Sequence, residues 1–144
     1  MQSMKRLTMR NHQREVSVDS PALRRQMRWL LNKAFKWTEY ELAVHFVSAK
    51  RMALINHKHL GHEGPTDILT FDYEESFQSG EIFICPAVAA ENAERHSEPL
   101  KVELARYLIH GLLHMNGHDD KVPAARQKMK REEDRLLHQL LRDG

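Results

Sequence analysis

The stretch LARYLIHGLLHMNGHDD, from Leu104 to Asp120, predicts a buried helix that carries two histidines and then turns back. Leucine recurs every four residues from Leu104 to Leu112, as expected of a helix face that packs in a core. His110 and His114 are also four residues apart, so one helix presents both imidazoles to the same side. A glycine three residues after the second histidine predicts that the helix ends there and that the chain reverses.

Two explanations fit the histidine pair, because imidazoles in an apolar helix are costly to bury without partners. Each ring could hydrogen-bond a neighbour in the core. We favour a metal site, since a histidine pair followed by a glycine turn and more acidic or histidine residues matches the spacing of zinc ligands. Asp120 is the preferred third ligand, His118 is the alternative and Asp119 comes after both. Two histidines and one carboxylate would leave a coordination position open, as in catalytic zinc sites.

The residue after the first histidine argues against a peptidase. Zinc peptidases with the pattern H-E-x-x-H place a glutamate at that position as general base. Here the position holds Gly111. A water activated by the metal remains chemically available as a nucleophile.

Length and composition predict a single domain over residues 1–144, in a protein of the cytoplasm. Hydrophobic residues make up 41% and charged residues 29%, values ordinary for a globular chain. The formal net charge of +2 permits an anionic substrate without arguing for one. Cys85 is the single cysteine, which suits a reducing compartment. We expect no signal peptide and no membrane span, because no apolar run is long enough.

The pattern of elements predicts an α+β fold, with one small mixed sheet covered by helices. A strand is predicted in EVSVD (15–19), and Ser20 is predicted to cap the helix that begins at Pro21. Ser48 should cap a second helix whose apolar residues include Leu54. EESFQSG (74–80) is predicted as an exposed loop. The other predicted strands are 40–47, 68–73 and 81–86, and the other predicted helices are 87–95, 100–115 and 122–141.

Three blocks of sequence together resemble the YbeY family of bacterial endoribonucleases. They are HGLLHMNGHDD (110–120), PTDILTF (65–71) and GEIFIC (80–85). Their order and separation fit the family, and the resemblance covers about residues 20 to 140. It implies a fold made of a small sheet with flanking helices, in which a zincin-like metal helix lies at the centre.

The resemblance implies a zinc-dependent, single-strand-specific endoribonuclease that acts in maturation of the small-subunit ribosomal RNA 3′ end and in ribosome quality control. It implies one Zn²⁺ per chain on His110, His114 and Asp120, with aspartate where most members have histidine. The implied partners are single-stranded ribosomal RNA and the small ribosomal subunit with its proteins. Leu60 stands where the family usually has an arginine before P-T-D. An alternative function is therefore a ribosome-binding assembly factor with a mainly structural metal and weak or no nuclease activity.

Other residues have two interpretations each. Thr66 and Asp67 either form a turn or help to line the active cleft. Glu103 either supports a metal ligand or is a simple solvated or salt-bridged glutamate. Cys85 is expected to be a small buried residue rather than a reactive thiol. The cations of the first helix form either a solvated face or a track for phosphates, and they are Arg24, Arg25, Arg28, Lys33 and Lys36.

Overall fold

The computed structural model describes residues 4–144, which contain four strands and five α-helices. The strands are β1 (Lys5–Asn11), β2 (Tyr40–Phe46), β3 (Ile68–Asp72) and β4 (Gln78–Ile84). The helices are α1 (Ser20–Trp29), α2 (Ala49–Leu60), α3 (Pro86–Arg95), α4 (Leu100–Met115) and α5 (Pro123–Asp143), and a π-helical turn at Leu30–Ala34 extends α1.

The strands form one mixed sheet in the order β1-β2-β4-β3. β1, β2 and β4 run parallel, and β3 pairs antiparallel with β4. Helices cover this sheet, so the predicted α+β class is confirmed. No helix in residues 4–144 is both long and apolar enough to cross a membrane.

The main core lies between one face of the sheet and helices α1, α4 and α5. Alternation along β2 supplies its centre, since Leu42, Val44 and Phe46 are all buried while the residues between them are half-exposed. α4 crosses this face closely. A Cβ on Gly111 would lie 2.9 Å from the Ile82 side chain, so only glycine permits the observed approach without displacement.

The other face of the sheet carries a smaller cluster beneath α2. Its buried members are Val47, Met52, Leu69 and Cys85. α2 is capped by Ser48, whose hydroxyl accepts a hydrogen bond from the backbone N–H of Arg51 at 3.1 Å, as the sequence predicts. Among the apolar residues of α2, Met52 is buried, but the side chain of Leu54 is 60% exposed. The second face is therefore incompletely covered.

Three local predictions are wrong. The first strand is Lys5–Asn11 rather than 15–19, because parallel pairing with β2 outweighs the local alternation of EVSVD. Asp19 caps α1, since its Oδ1 accepts from the backbone N–H of Ala22 at 3.1 Å, and Ser20 is the first helical residue. The loop predicted for 74–80 ends early, because β4 begins at Gln78 and pairs there with β2.

Candidate metal centre

α4 and the turn that follows it position the two histidines. The helix ends at Met115, and Gly117 adopts a positive φ of 94° that favours glycine. The backbone N–H of Gly117 donates to the carbonyl of His114 at 3.1 Å, and that of His118 donates to Leu113 at 3.0 Å. These bonds satisfy carbonyls at the helix end and send the chain back toward the histidines.

His110, His114 and Asp120 converge as the sequence spacing predicts. Oδ2 of Asp120 lies 3.8 Å from Nε2 of His110 and 3.6 Å from Nε2 of His114. All three donor atoms lie within 4.8 Å of one another, and no other cluster of this kind occurs in residues 4–144. Donors around a tetrahedral ion with bonds near 2.0–2.1 Å are about 3.3 Å apart. The two spacings from Asp120 to the histidines exceed this value by about 0.5 Å or less, and the donor set is one that zinc accepts, so the three side chains fit a metal ion.

The two rival third ligands lie elsewhere in the turn. Asp119 accepts a hydrogen bond from the backbone N–H of Lys121 at 2.7 Å, which is ordinary turn chemistry. His118 is half-buried and does not belong to the cluster of donor atoms. Among the candidate ligands after the glycine, the structure brings only Asp120 to both imidazoles.

Glu133 contacts His110 from α5, and sequence reasoning did not identify it. Nδ1 of His110 lies 3.0 Å from Oε2 of Glu133, and this residue is only 7% exposed. A carboxylate at Nδ1 holds the imidazole in the tautomer whose Nε2 is free to bind a metal. The bond therefore directs the Nε2 lone pair toward Asp120 and His114.

The two histidines differ in their titration. Burial alone would lower the pKa of His110, but the hydrogen bond and charge of Glu133, aided by Asp120, outweigh it and raise the pKa. Burial and the neighbouring His110 lower the pKa of His114. Its ring is therefore favoured in the neutral form that binds metals.

Arg106 fixes Glu133 from the opposite side. Its Nη1 lies 3.3 Å from Oε1 of Glu133 and 2.9 Å from Oδ1 of Asp134, and its Nη2 lies 3.3 Å from Oε1 of Glu98. Burial would lower the pKa of Arg106, but these carboxylates raise it. The guanidinium is therefore committed to holding the carboxylates and is not free to receive a phosphate.

Of the two interpretations of Glu103, the structure agrees with a salt-bridged glutamate, here a buried one. It is 3% exposed, and its Oε2 lies 3.3 Å from the hydroxyl of Tyr107 while its Oε1 lies 3.7 Å from Nε of Arg106. The hydroxyl of Tyr107 also accepts from Nδ2 of Asn92 at 2.8 Å. Burial is the main cause that raises the pKa of Tyr107. Glu103 thus supports the wall of the site, and Glu133 makes the contact with a histidine.

A cleft of about 580 Å³ opens beside His110 and Asp120. Asp67 lines it and also accepts a hydrogen bond from the backbone N–H of Ile68 at 2.8 Å, so both interpretations of this aspartate hold. Thr66 bonds to Asp67 at 3.4 Å and does not line the cleft. Carboxylates outnumber cations along the wall, whose charged and titratable residues are Asp67, His96, Glu98, Glu103, Arg106, His110, Asp120, Lys130 and Glu133.

The remaining candidates lie outside this cleft. Cys85 is fully buried, and burial raises the pKa of its thiol, so it is the small core residue that was expected. Leu60 ends α2 and is 49% exposed. Arg24 donates to the backbone carbonyl of Met9 at 3.2 Å. The other cations of the first helical segment are exposed, namely Arg25, Arg28, Lys33 and Lys36.

Known proteins are similar to this chain in sequence and in fold. Residues 8–141 match the family model described as endoribonuclease YbeY. An endoribonuclease YbeY from Chlorobium luteolum is 38% identical over 103 residues, covering 71% of this chain and 75% of the relative. One from Phocaeicola vulgatus is 40% identical over 98 residues, covering 67% and 71%. The solution structure of a Thermotoga maritima protein is similar in fold alone, with a TM-score of 0.69 and 24% identity over 93% of this chain and 88% of that one.

Proposed function

This chain belongs to the endoribonuclease YbeY family, and on that premise we propose that it hydrolyses single-stranded RNA with one zinc ion. The observation that carries the proposal is the convergence of His110, His114 and Asp120, whose donor atoms lie within 4.8 Å of one another. Two imidazole nitrogens and one carboxylate oxygen form a ligand set that zinc accepts, with room for a fourth ligand. We assign all three residues as ligands and leave His118 outside the first coordination sphere.

Zinc bound there would supply Lewis acidity to a phosphoryl oxygen and lower the pKa of a water molecule toward neutrality. The protein contributes orientation and access. Glu133 holds the His110 ring through Nδ1, and Arg106 holds Glu133. The side chains of His110, His114 and Asp120 are 26%, 33% and 42% exposed, so a substrate can approach the site from solvent.

Charge explains why this cleft needs a cation. Asp67, Glu98 and Glu103 line it together with the ligand Asp120, and Arg106 is neutralised by its own ion pairs. A phosphodiester entering such a cleft meets repulsion unless a positive ion lies at the triad. A metal held by the triad would therefore help to bind the substrate as well as to cleave it.

Gly111 supports a phosphodiesterase over a peptidase. The glutamate that peptidases carry at this helix position would have to begin with a Cβ 2.9 Å from the Ile82 side chain. The close packing of α4 on β4 leaves no space for it. RNA is also the substrate class given by the names of the relatives.

We further propose ribosomal RNA as the substrate, at the small-subunit 3′ end, with a role in ribosome quality control. Such a role would bring the protein to the small ribosomal subunit and its proteins, in the cytoplasm. Family membership supports this assignment.

Single-turnover cleavage of an unstructured RNA tests the enzymatic proposal. Wild type and His114→Ala are compared after metal content has been measured, with His138→Ala as a control at an exposed histidine of α5. We expect His114→Ala to lose both zinc and cleavage and the control to keep both. Equal cleavage by wild type and His114→Ala, in the absence of metal, would end the proposal.

A second candidate is a ribosome-binding assembly factor in which the metal is mainly structural. Leu60, exposed at the end of α2 where the family usually has an arginine, favours it. Small ribosomal subunits are incubated with metal-loaded and metal-stripped protein. Binding that survives removal of the metal, without RNA cleavage, would favour this candidate over the enzyme.

A further inference from the structure

A row of five aromatic rings crosses the sheet on the face away from α4. His12 stacks on His45 with centroids 5.2 Å apart, and His45 stacks on Phe83 at 4.8 Å. Phe83 meets Phe71 edge-on at 5.7 Å, and Phe71 meets His59 of α2 at 5.2 Å. We call these five residues the ring row. It spans the sheet from the end of β1 to β3 and continues onto α2.

The ring row lies behind the metal centre. Ile82 and Thr70 face α4, because their side chains approach Gly111, whereas their neighbours Phe83 and Phe71 point to the opposite face. The row is therefore separated from the triad by the thickness of the sheet. A ligand on it would not compete with one at the triad for the same atoms.

Two adjoining hollows expose the ring row to solvent. One of about 620 Å³ is lined by His59, Phe71 and Phe83, and the other, of about 580 Å³, is lined by His12, His45 and Phe83. Both volumes fall in the range of ordinary ligand sites. Tyr73 and Leu54 at the edge of the first hollow are 51% and 60% exposed. Large apolar surface is thus left uncovered at one place.

Unpaired cations flank the row. Arg51 and Lys58 are exposed on α2, line these hollows and have no carboxylate within 4.0 Å in residues 4–144. Arg10 lies opposite His45 in the parallel register of β1 and β2, and Arg51 lines the hollow of His12 and His45. Burial lowers the pKa of His12, and the charges of His45, Arg10 and Arg51 add to this effect. Positive charge therefore surrounds the rings at one end and along α2.

One carboxylate lies in the floor between the hollows. Glu81 accepts a hydrogen bond from Tyr73 through one oxygen and lies 2.8 Å from Nε2 of His45 through the other. Both oxygens are thereby engaged in the sheet. His45 is engaged as well, by His12 at 3.0 Å and by Glu81, so the groups that remain free to meet a ligand are the exposed end rings and the cations.

We propose that the ring row binds a single strand of RNA, whose bases stack on the exposed end rings His12 and His59 while Arg51 and Lys58 contact its phosphates. Rings on a sheet surface with cations beside them are how proteins hold single strands, because every base offers a π face and the backbone is anionic. The choice of RNA rests on the proposed function. The platform would hold a length of the substrate remote from the triad.

Binding is measured by fluorescence anisotropy with an unstructured RNA of twelve nucleotides. The double variant Arg51→Ala/Lys58→Ala is compared with Arg25→Ala/Arg28→Ala, an equal loss of exposed charge on α1. We expect the first pair to weaken binding roughly tenfold and to make the salt dependence shallower by about 1.4, since each phosphate contact on a single strand contributes about 0.7 to that slope. An unchanged affinity in the first pair, or an equal loss in both pairs, would overturn the proposal.

Stacking is tested separately with 2-aminopurine in the same RNA. His12→Ala removes the exposed ring at one end of the row, and His59→Ala, at the other exposed end, is the second ring variant. Wild type should quench the 2-aminopurine fluorescence and the ring variants should not. Polyglutamate of matched charge should compete poorly. Equal competition, or quenching that survives the loss of these rings, would point to an acidic protein segment and refute base stacking.

The platform and the nuclease can fail independently. Binding is read within seconds on the protein as purified and again at equilibrium with a chelator, which prevents metal-dependent cleavage. RNA binding at the row without cleavage would contradict the proposed nuclease alone. Cleavage that does not respond to Arg51→Ala/Lys58→Ala, with unaltered binding, would contradict the platform alone.

Discussion

Replacing Glu133 by glutamine should weaken zinc binding about tenfold while leaving the protein folded. Glutamine keeps the volume of the side chain and an oxygen that can accept from Nδ1 of His110, now 3.0 Å away, but it removes the charge. A hydrogen bond to a charged group is worth about 1.5–3 kcal/mol and a neutral one about 1 kcal/mol. The difference of about 1.4 kcal/mol corresponds to a factor of ten. In other metalloproteins, substitution of a group that supports a metal ligand lowers metal affinity or activity about 10–100-fold.

A competitive titration against a zinc-binding dye measures the effect. Glu132→Gln is the matched control, because Glu132 is the adjacent residue on α5 and pairs with Arg135 at 2.7 Å instead of contacting a histidine. Both variants replace a glutamate by glutamine, at neighbouring positions of the same helix. We expect the control to bind zinc within twofold of wild type.

A Glu133→Gln protein that melts as wild type and binds zinc as tightly as the control would refute the argument. It would mean that the contact with His110 does not orient that ring. A large fall in melting temperature would have a separate cause, since Glu133 also contacts Arg106 at 3.3 Å. Thermal denaturation monitored by circular dichroism separates the two effects.

Three further predictions concern the ligand set and the fold. Asp120→Ala should lose zinc by elemental analysis and His118→Ala should keep it, and the reverse result would make His118 the third ligand. Gly111→Ala should lower the melting temperature, because its Cβ would lie 2.9 Å from a core side chain and overpacking costs about 1–3 kcal/mol; an unchanged melting temperature would mean that α4 moves freely. Asp19→Ala should cost about 1 kcal/mol in urea denaturation and Ser20→Ala clearly less, and equal losses would contradict Asp19 as the cap.

Local signals in the sequence predicted the helices, although the cap of α1 and the π-helical turn after it were not identified. The bounds predicted for α4 agree with those observed, because an apolar periodicity ends at a glycine turn. Ser48 and Gly61 likewise mark the two ends of α2, and both act there as caps. The grouping of His110 with His114 and Asp120 follows from the same local geometry, since all three lie on one helix and its turn. Their role as ligands stays a prediction.

The location and bounds of strands are harder to predict from the sequence, because the strands that pair lie far apart in the chain. β1 is stabilised by β2, with Leu7 opposite Leu42 and Met9 opposite Val44. EVSVD and residues 6–10 alternate equally well, and EVSVD has the valines that strands favour, yet no strand is available to pair with it in this sheet. The same argument applies to Gln78, which belongs to β4 only because β2 extends alongside it. β-propensity shows which segments could form strands, and the presence of a pairing partner in the fold decides which of them do so.

Glu133 is the instructive omission, because a signal for it was present in the sequence. It lies on the apolar stripe of α5, four residues after Met129 and three before Leu136, where a carboxylate would have to be buried. Burying an ionised carboxylate without a partner is prohibitively costly, so the stripe itself requires a donor or cation opposite that position. His110 interrupts the apolar face of α4 in the same way. The hydrogen bond between His110 and Glu133 offsets the free-energy cost of burying both polar groups. The same bond orients the imidazole so that Nε2 can bind a metal.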